Sequence, residues 1–425
     1  MAIIQLFLSH LPGAQHLFLA IIHLAAYSTA LSTTASPPLT SFRLLQYNIH
    51  AWRDSNHIDN LARIASTIRA CNPDVVCLNE VLHPYHHLEE GTDANTDAQQ
   101  SYLEAVRRGE GRGYTLPIID NEKSSYLDEL VDKTGMMGGY RFHIAHDDGY
   151  FGRIPFGNAV LSKHPILGCS AVPLKVEEGD LTLGDQGPRD NAEARVFVSA
   201  RIRIPLNATK KKHDGGSNGD SDDGFNTNRG LEVGICLTHL DHIAEKLRER
   251  QVRQCIDAMT ISTPSPDRQP PLPPHIFCGD LNTFRKSDFD GDDEGWGAIL
   301  DLYASRGWGV PMECSPTLSA LDDAGYVDAF YSTDVDVAGT VTPQKEGATL
   351  FGELEDVGIG RGRTPGPTCW TETPLMRIDH VRTSPICKED TFALRPSRYS
   401  RVLVDGSDHL PVLVDFDLVS LLTEN

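Results

Sequence analysis

Gly406-Ser407-Asp408-His409-Leu410-Pro411-Val412, near the end of the chain, is the stretch that decides the fold. An Asp-His pair in front of an apolar strand would carry little information by itself. Five other short polar clusters precede it, and nearly all of them follow a run of β-forming residues. They are Tyr47-Asn48-Ile49, Leu78-Asn79-Glu80-Val81, Thr238-His239-Leu240, Cys278-Gly279-Asp280-Leu281-Asn282 and Arg377-Ile378-Asp379-His380. This order predicts a single phosphate-and-metal site that is assembled from the ends of many strands.

The composition limits the class of protein. A chain of 425 residues can hold one large domain or two ordinary ones, and 40% apolar residues can form a sizeable core. The formal net charge of −21 argues against a protein that grips nucleic acid through a broad basic face, because phosphate neutralisation dominates that kind of affinity. A local basic groove is still compatible with this total. We expect a monomer whose partner is a phosphodiester, with nucleic acid as the less favoured class.

Three interpretations of residues 1–36 stay open. Residues 17–30 are mostly apolar, and the first basic residue of the chain is Arg43. A secretory signal normally begins with positive charge, and a mitochondrial transit peptide is rich in Arg, so neither pattern is met in full. The apolar stretch is also too short for a transmembrane helix, and a His interrupts it. A secretory leader or a plastid-type leader would direct the protein to those compartments, whereas a misplaced gene start would leave it in the cytoplasm.

Strand patterns alternate with helical patterns along the rest of the chain. Strands are predicted at 42–47, 75–78, 140–145, 159–162, 195–204, 231–237 and 275–278, and helices at 58–71, 244–259 and 296–306. No clean boundary divides this region. We therefore expect one domain at 42–417, after a leader at 1–41 and before a short tail at 418–425.

Residues 207–229 interrupt two strands that would pair well. The segment contains Lys, Gly, Ser, Asn and Asp in a low-complexity run, which buries too little apolar surface to order itself. We expect a disordered hairpin extension here.

The nine cysteines do not form a recognisable framework. Cys77, Cys236 and Cys278 each lie within an apolar, strand-like run, where cysteine usually behaves as a small buried hydrophobe. We expect free core thiols rather than disulfides, and no CxxC zinc pattern is present.

The six clusters, in this order and near this spacing, resemble the endonuclease/exonuclease/phosphatase, or DNase I-like, superfamily over roughly residues 42–417. Phe156-Gly157-Asn158-Ala159-Val160-Leu161-Ser162 also resembles the mid-domain strand of that family. The resemblance implies an α/β fold, a four-layer α/β sandwich in which two packed mixed or antiparallel β-sheets are flanked by helices. The helix at 244–259 is similar to that of tyrosyl-DNA phosphodiesterases and of plant and algal family members.

The resemblance also implies a metal centre. In-line cleavage of a phosphate ester requires a metal on a non-bridging oxygen, an orienter or base for the attacking water, and donors for the developing charge. By resemblance, Glu80 binds the metal, Asn48 offers an amide to the metal shell or the phosphate, and Asp408 lies near the metal. Mg²⁺ prefers oxygen ligands and takes few protein carboxylates, so we expect Mg²⁺, with Mn²⁺ as an alternative.

Five residues receive catalytic roles from the resemblance. Asp280 would orient or deprotonate the water, and Asn282 would bond the phosphate. His409 would contact the scissile phosphate while Asp379 holds its other ring nitrogen. A carboxylate partner raises the pKa of a histidine and so favours a cation beside the phosphate. His239 would be a phosphate donor or the acid for the leaving group.

Other polar residues near the motifs are interpreted as structural, among them His242 and His380. The acidic run that starts at Asp288 suggests a calcium loop at first sight. Counting from Asp288 places Asp293 and Ile299 where an EF-hand requires Gly and Glu, so that reading fails. We expect a solvated acidic loop that leads into the next helix.

Together these expectations describe a Mg²⁺-dependent phosphodiesterase that acts through an activated water. Small or lipid-linked diesters rank slightly above nucleic-acid ends, because the chain lacks a basic stripe with interleaved aromatic residues. The alternatives are a non-catalytic binding module that retains the fold and a module tethered to a membrane by residues 17–30. A non-catalytic relative typically loses Glu80, Asp280, Asp379 or His409, and this chain has all four.

Overall fold

The computed structural model describes residues 38–56, 58–82, 118–119, 124–134, 141–151, 154–177, 195–206, 230–242, 244–260, 272–289, 292–306, 311–332, 354–356, 365–369, 376–387 and 390–421. The insert expected at 207–229 lies outside these residues, as does the expected leader apart from 38–41. None of the described helices is long and apolar enough to cross a membrane.

Two mixed β-sheets form the centre of the described structure. Its strands are β1 (Thr40–Asn48), β2 (Val75–Leu82), β3 (Ile118–Ile119), β4 (Ser124–Ser125), β5 (Arg141–Phe151), β6 (Ile154–Ser162), β7 (Ile166–Leu174), β8 (Arg195–Pro205), β9 (Gly230–His239), β10 (His275–Asp280), β11 (Val327–Asp328), β12 (Leu354–Asp356), β13 (Asp379–Thr383), β14 (Phe392–Val402) and β15 (Val412–Ser420). The first sheet has the order β12-β14-β15-β1-β2-β6-β5, and the second has the order β11-β13-β10-β9-β8-β7. Each sheet contains one parallel pair, β1 with β2 and β9 with β10, among antiparallel neighbours.

Five α-helices cover the sheets within the described residues. They are α1 (Leu61–Cys71), α2 (Tyr126–Lys133), α3 (Glu245–Thr260), α4 (Asp293–Arg306) and α5 (Pro316–Asp323). Two short 3₁₀ segments, His50–Trp52 and Lys286–Phe289, lie in the loops after β1 and β10.

The alternation of apolar residues along β1 separates two layers of packing. Phe42 and Leu44 point into the core between the sheets, where they join Val198 and Ile235 of the second sheet. Leu45, the residue after Leu44, points the other way and packs with the apolar face of α1. Burial of each such side chain contributes roughly 2 kcal/mol, so register errors in this strand would be costly.

The outer face of the second sheet carries its own helical layer. Phe197 and Phe277 pack with Val252 of α3 and Leu318 of α5. The order is therefore helix, sheet, sheet, helix, and the predicted four-layer α/β sandwich is confirmed.

Most of the predicted elements are confirmed, and several of them have different limits. The helix expected at 58–71 begins at Leu61, because the backbone N–H of Ile58 donates to Asp54 Oδ1 and holds a turn instead. The strand expected at 75–78 continues to Leu82. The first sheet extends beyond the expected limits of 42 and 417, since β1 begins at Thr40 and β15 ends at Ser420.

The acidic loop before α4 is not uniformly solvated, contrary to expectation. Asp288 is buried and lies 3.2 Å from Arg377, which also bonds Asp328 at 2.8 Å. A buried cation of this kind requires carboxylate partners, and Asp288 is one of them. The nine cysteines are free, and Cys77, Cys236 and Cys278 are buried as predicted.

Gly279 is required where β10 approaches β9 most closely. Its φ is +139°, and a Cβ at this position would lie 1.9 Å from the carbonyl oxygen of Thr238. We predict that Gly279→Ala lowers the free energy of unfolding by at least about 3 kcal/mol, because a strained φ and a backbone clash are added together. Denaturant unfolding measures the change.

Gly297, in the interior of α4, is the matched control because nothing lies within 4 Å of an added Cβ. Gly297→Ala should stabilise the protein by roughly 0.8 kcal/mol through helix propensity alone. Equal effects from the two substitutions would contradict the close-approach argument.

His275 makes the fold sensitive to acid. Its Nδ1 lies 3.0 Å from Pro273 O and its Nε2 lies 2.7 Å from Tyr326 Oη, and burial lowers the pKa of the ring to about 4. Because the pKa of His275 is lower in the folded protein, its neutral ring contributes fully to the free energy of unfolding above pH 6.5. About 3 kcal/mol of this contribution is lost as the pH falls towards 4. We predict that His275→Gln flattens the stability profile in this window, as urea unfolding at several pH values would measure.

Candidate active site

The polar clusters meet where the ends of the strands from both sheets face each other. In the first sheet, Asn48 at the end of β1 lies opposite Asn79 of β2. In the second sheet, Asp280 at the end of β10 lies between His239 of β9 and Asp379 of β13. Because β1 and β2 run parallel, and β9 and β10 also run parallel, their carboxyl ends share one edge and bring these side chains together.

A bulge in β2 turns Glu80 toward the site. The pairing of β2 with β6 shifts between Leu78 and Val81, and Glu80 has a left-handed φ of 57°. As a result, Asn79 is fully buried between the sheets while the Glu80 side chain stays about one-fifth exposed. A regular strand would have placed these neighbours on opposite faces.

Left-handed backbone is concentrated at this edge of the sheets. Six non-glycine residues have positive φ within the described part of the chain, and five of them lie at this edge. These five are His50, Ala51, Trp52, Glu80 and Asn282. Such conformations cost of order 1 kcal/mol each and persist only where surrounding contacts impose them. Here the Trp52 indole donates to Leu82 O at 2.7 Å and anchors the first segment.

One corner of the site consists of two carboxylates joined by an amide. Asn48 Nδ2 donates to Glu80 Oε1 at 3.1 Å and to Asp280 Oδ2 at 2.9 Å. Complete burial raises the pKa of Asp280 to about 7, while His409 opposes this rise and the carboxylates of Asp379 and Glu80 add to it. Asp280 is therefore poised to exchange a proton near neutral pH.

The opposite corner is a histidine–carboxylate pair. His409 Nδ1 lies 2.9 Å from Asp379 Oδ2, and His409 Nε2 lies 3.7 Å from Asp280 Oδ2. Burial alone would lower the pKa of His409, but Cys369, Asp379 and Asp408 together hold it well above its usual value. Burial raises the pKa of the Cys369 thiol to about 11, so this thiol is uncharged at neutral pH and the carboxylates sustain the imidazolium.

A set of buried amides holds the two carboxylates in place. Gln46 Nε2 donates to Asp379 Oδ1 at 3.0 Å and to Asn79 Oδ1 at 3.1 Å. The same Asn79 oxygen accepts the backbone N–H of Asp280, and its Nδ2 donates to Asn158 Oδ1. Asp379 and Asp280 are thus fixed relative to each other through Asn79.

His239 lies on the far side of Asp280. Its Nε2 is 3.5 Å from Asp280 Oδ2 and 3.0 Å from Asn282 Nδ2, and its Nδ1 is 3.2 Å from Arg195 Nη1. Burial lowers the pKa of His239 well below its usual value, and the positive charges of Arg195 and His409 lower it further. His239 and His409 therefore have opposite charge preferences.

Asp408 lies at the open side of the site. Its Oδ1 lies 3.2 Å from Ser407 Oγ, 3.6 Å from His50 Nδ1 and 4.0 Å from His409 Nε2. The Ser407 hydroxyl donates its one proton to Asn48 O at 2.8 Å, which ties this loop to the end of β1.

The donor set fits a hard divalent cation. Ligand atoms of Glu80, His239 and Asp280 lie within 4.8 Å of one another, and those of Asp280, Asp379 and His409 do likewise. Carboxylate oxygens are among the ligands that Mg²⁺ prefers, and Glu80 and Asp280 supply them in one corner. The Asn48 amide faces both carboxylates through Nδ2, and its Oδ1 accepts from the backbone N–H of His50 at 3.0 Å.

All eight residues predicted for the site lie at this edge of the sheets, as the contacts above describe. His380 lies apart from them, with its Nε2 2.8 Å from Thr283 O and its Nδ1 3.7 Å from Asp328 Oδ2. Gln46, Arg195 and Cys369 were not predicted from the sequence, because none of them belongs to one of the six clusters. Asn79 and Asn158 are polar residues within apolar strands, and that polarity was the available sign. His50 follows the first cluster, in the 3₁₀ segment after β1.

Several solved structures are similar to this chain at low sequence identity. The chain is similar to an endonuclease/exonuclease/phosphatase from Beutenbergia cavernae, with 19% identity over 89% of this chain and 72% of that one and a TM-score of 0.48. It is also similar to a mannosyl-6-phosphatase from Bacteroides thetaiotaomicron (13% identity, 88% and 99% covered, TM-score 0.44) and to ANGEL2, a 2′,3′-cyclic phosphatase (15% identity, 88% and 95% covered, TM-score 0.40).

No curated protein sequence matches the chain. The sequence model of the Endonuclease/Exonuclease/phosphatase family matches residues 45–409, which is most of the chain. This match runs from the start of the first cluster region to His409, and the chain therefore belongs to the Endonuclease/Exonuclease/phosphatase family.

Proposed function

We propose that this protein is a Mg²⁺-dependent phosphodiesterase that hydrolyses its substrate by in-line attack of water. The observation that carries the proposal is the meeting of Glu80, Asp280 and Asn48 with two imidazoles of opposite charge preference. Hydrolysis of a phosphodiester needs a cation site, a base and hydrogen-bond donors within a few ångströms of the phosphorus atom. Residues at this edge of the sheets can supply each of them.

The role proposed for each residue follows from its surroundings. Glu80 and Asn48 would hold Mg²⁺, with Asp408 beside them, and the bound cation would supply charge stabilisation for a non-bridging phosphate oxygen. Asp280, whose pKa is about 7, would orient the water and take its proton. His409, kept cationic by Asp379, would stabilise the charge that develops on the phosphate.

For the substrate, we propose a small or lipid-linked phosphodiester ahead of a nucleic-acid end. The net charge of −21 weakens long-range attraction of a polyanion, whereas one phosphodiester needs only local cations. A panel of bis-p-nitrophenyl phosphate, sphingomyelin, inositol polyphosphates, DNA, oligo(A) and a 5′-tyrosyl oligonucleotide would rank the classes. Activity confined to the nucleic acids would overturn the ranking.

A binding module without turnover, free or tethered to a membrane, is the alternative. It would bind phosphate or a diester at the same edge while releasing no product from any member of the panel with Mg²⁺. The intact set of carboxylates and imidazoles favours catalysis, since a buried Asp with a raised pKa is costly to keep for binding alone.

We predict that hydrolysis of bis-p-nitrophenyl phosphate is abolished by EDTA and restored by Mg²⁺ or Mn²⁺. Glu80→Gln should reduce turnover at least about 100-fold and raise the Mg²⁺ concentration needed for half-maximal rate, because one charged ligand is lost. Steady-state kinetics against a Mg²⁺ titration measure both effects.

Glu249→Gln is the control for this prediction. Glu249 lies on α3 and pairs with Arg253 at 2.8 Å, away from the site, so its loss should leave the Mg²⁺ dependence unchanged. Full activity after extensive dialysis against EDTA would contradict the metal assignment.

We predict that His409 and Asp379 act as a unit. His409→Ala should reduce turnover on the order of 10³-fold or more, and adding Asp379→Asn should change it by less than about 3-fold, because the carboxylate works through the ring. The comparison requires turnover numbers for both single variants and the double variant. Losses that multiply would show that the two groups act separately. His164→Ala serves as the histidine control, because its ring lies beside Asp74 just before β2 and away from the site.

A further inference from the structure

The ring of His239 lies between two groups that can only donate hydrogen bonds. Arg195 Nη1 is 3.2 Å from Nδ1, and Asn282 Nδ2 is 3.0 Å from Nε2. A guanidinium has no acceptor and does not lose its proton in proteins, and an amide NH₂ group has no acceptor either. A neutral imidazole has one lone pair, so it can accept from only one of the two.

The contact with Arg195 takes the lone pair. Arg195 is buried, with 3% of its surface exposed, and its bond to the ring is charge-assisted. The Asn282 amide has another partner, because its Nδ2 donates to Leu240 O at 3.0 Å. Nδ1 of His239 therefore accepts from Arg195, and the ring proton resides on Nε2.

Two donors then stand side by side at the edge of the site. Nε2 of His239 and Nδ2 of Asn282 are 3.0 Å apart, and the hydrogens that they carry cannot satisfy each other. Asp280 Oδ2, 3.5 Å from Nε2, lies on the same side of the ring at a long distance for a hydrogen bond. One phosphate oxygen placed against both would accept from each of them. His409 has the opposite arrangement, since its Nδ1 faces the carboxylate of Asp379.

We propose that Arg195 is a positioning residue that fixes the tautomer of His239, so that His239 acts as a neutral hydrogen-bond donor to the substrate phosphate. This role rests on the proposed phosphodiesterase function. It also decides between the two roles that the sequence left open for His239. If the ring gave its Nε2 proton to a leaving group while Nδ1 accepted from Arg195, an imidazolate would remain, and that state is inaccessible near pH 7.

The tautomer can be read directly by ¹⁵N NMR of histidine-labelled protein at pH 7, with the His239 signals assigned by their loss in His239→Gln. We expect an unprotonated Nδ1 and a protonated Nε2. Arg195→Gln offers a carbonyl as acceptor and should allow the Nδ1–H form, whereas Arg195→Lys keeps a donor and should preserve the original tautomer. A protonated Nδ1 in the unmodified protein would overturn the proposal, whether or not the protein hydrolyses diesters.

A leaving-group comparison tests the consequence for catalysis. If His239 is a phosphate donor, His239→Ala should reduce the rates for bis-p-nitrophenyl phosphate and for an alkyl diester by similar factors, within about 3-fold. If His239 protonates the leaving group, the alkyl diester should lose on the order of 10² more, because p-nitrophenolate leaves without a proton. The second outcome would overturn the proposal.

Variants at Arg195 separate positioning from folding. Arg195→Gln should reduce turnover on the order of 10²-fold, as expected when a catalytic ring takes the wrong tautomer, and Arg195→Lys should recover part of it. Arg203→Gln, on the same strand with its guanidinium 3.4 Å from Glu232, should change neither the NMR signals nor the rate. An inactive protein with the expected tautomer would refute the phosphodiesterase assignment and leave the geometry of Arg195 intact.

Discussion

The site depends on one buried amide, that of Asn79, which joins the two sheets. Its Oδ1 accepts from Gln46 and from the backbone of Asp280, and its Nδ2 donates to Asn158 Oδ1 and to Thr238 O at 3.1 Å. An amide buried without partners would cost several kcal/mol, so only a narrow range of relative sheet positions is acceptable. In that range Asp280 of one sheet meets Asn48 of the other.

Around this anchor, burial and neighbouring charges give chemically similar side chains different properties. Asp379 is committed to His409 and sustains a cation there, whereas Asp280 carries a pKa near 7. Of the two imidazoles, His409 faces a carboxylate at Nδ1 and His239 faces a guanidinium at the same atom. The partner of one ring nitrogen thus decides whether a histidine serves as a cation or as a neutral donor.

The fold and the membership of the site were largely predictable from the sequence. Strands and helices followed from local periodicity, whereas the four-layer sandwich and the choice of site residues followed from the resemblance of the six polar clusters to the family. The bulge at Glu80 was not predictable, since it depends on pairing with the distant strand β6. The later start of α1 was not predictable either, because a turn held by Asp54 competes with the helix at Ile58. Arg195 escaped notice because an arginine that begins a strand usually faces solvent, and only packing shows it to be buried.

The sequence by itself determined the α/β class, the order of the clusters and the residue types that can bind a metal and a phosphate. Tertiary structure alone decided which proton each group carries. The partners that set those protons are remote along the chain: Arg195 is 44 residues from His239, and Asn79 is 201 residues from Asp280. Protonation and tautomer depend on the solvent and charges within a few ångströms, and these neighbours exist only after the two sheets have packed.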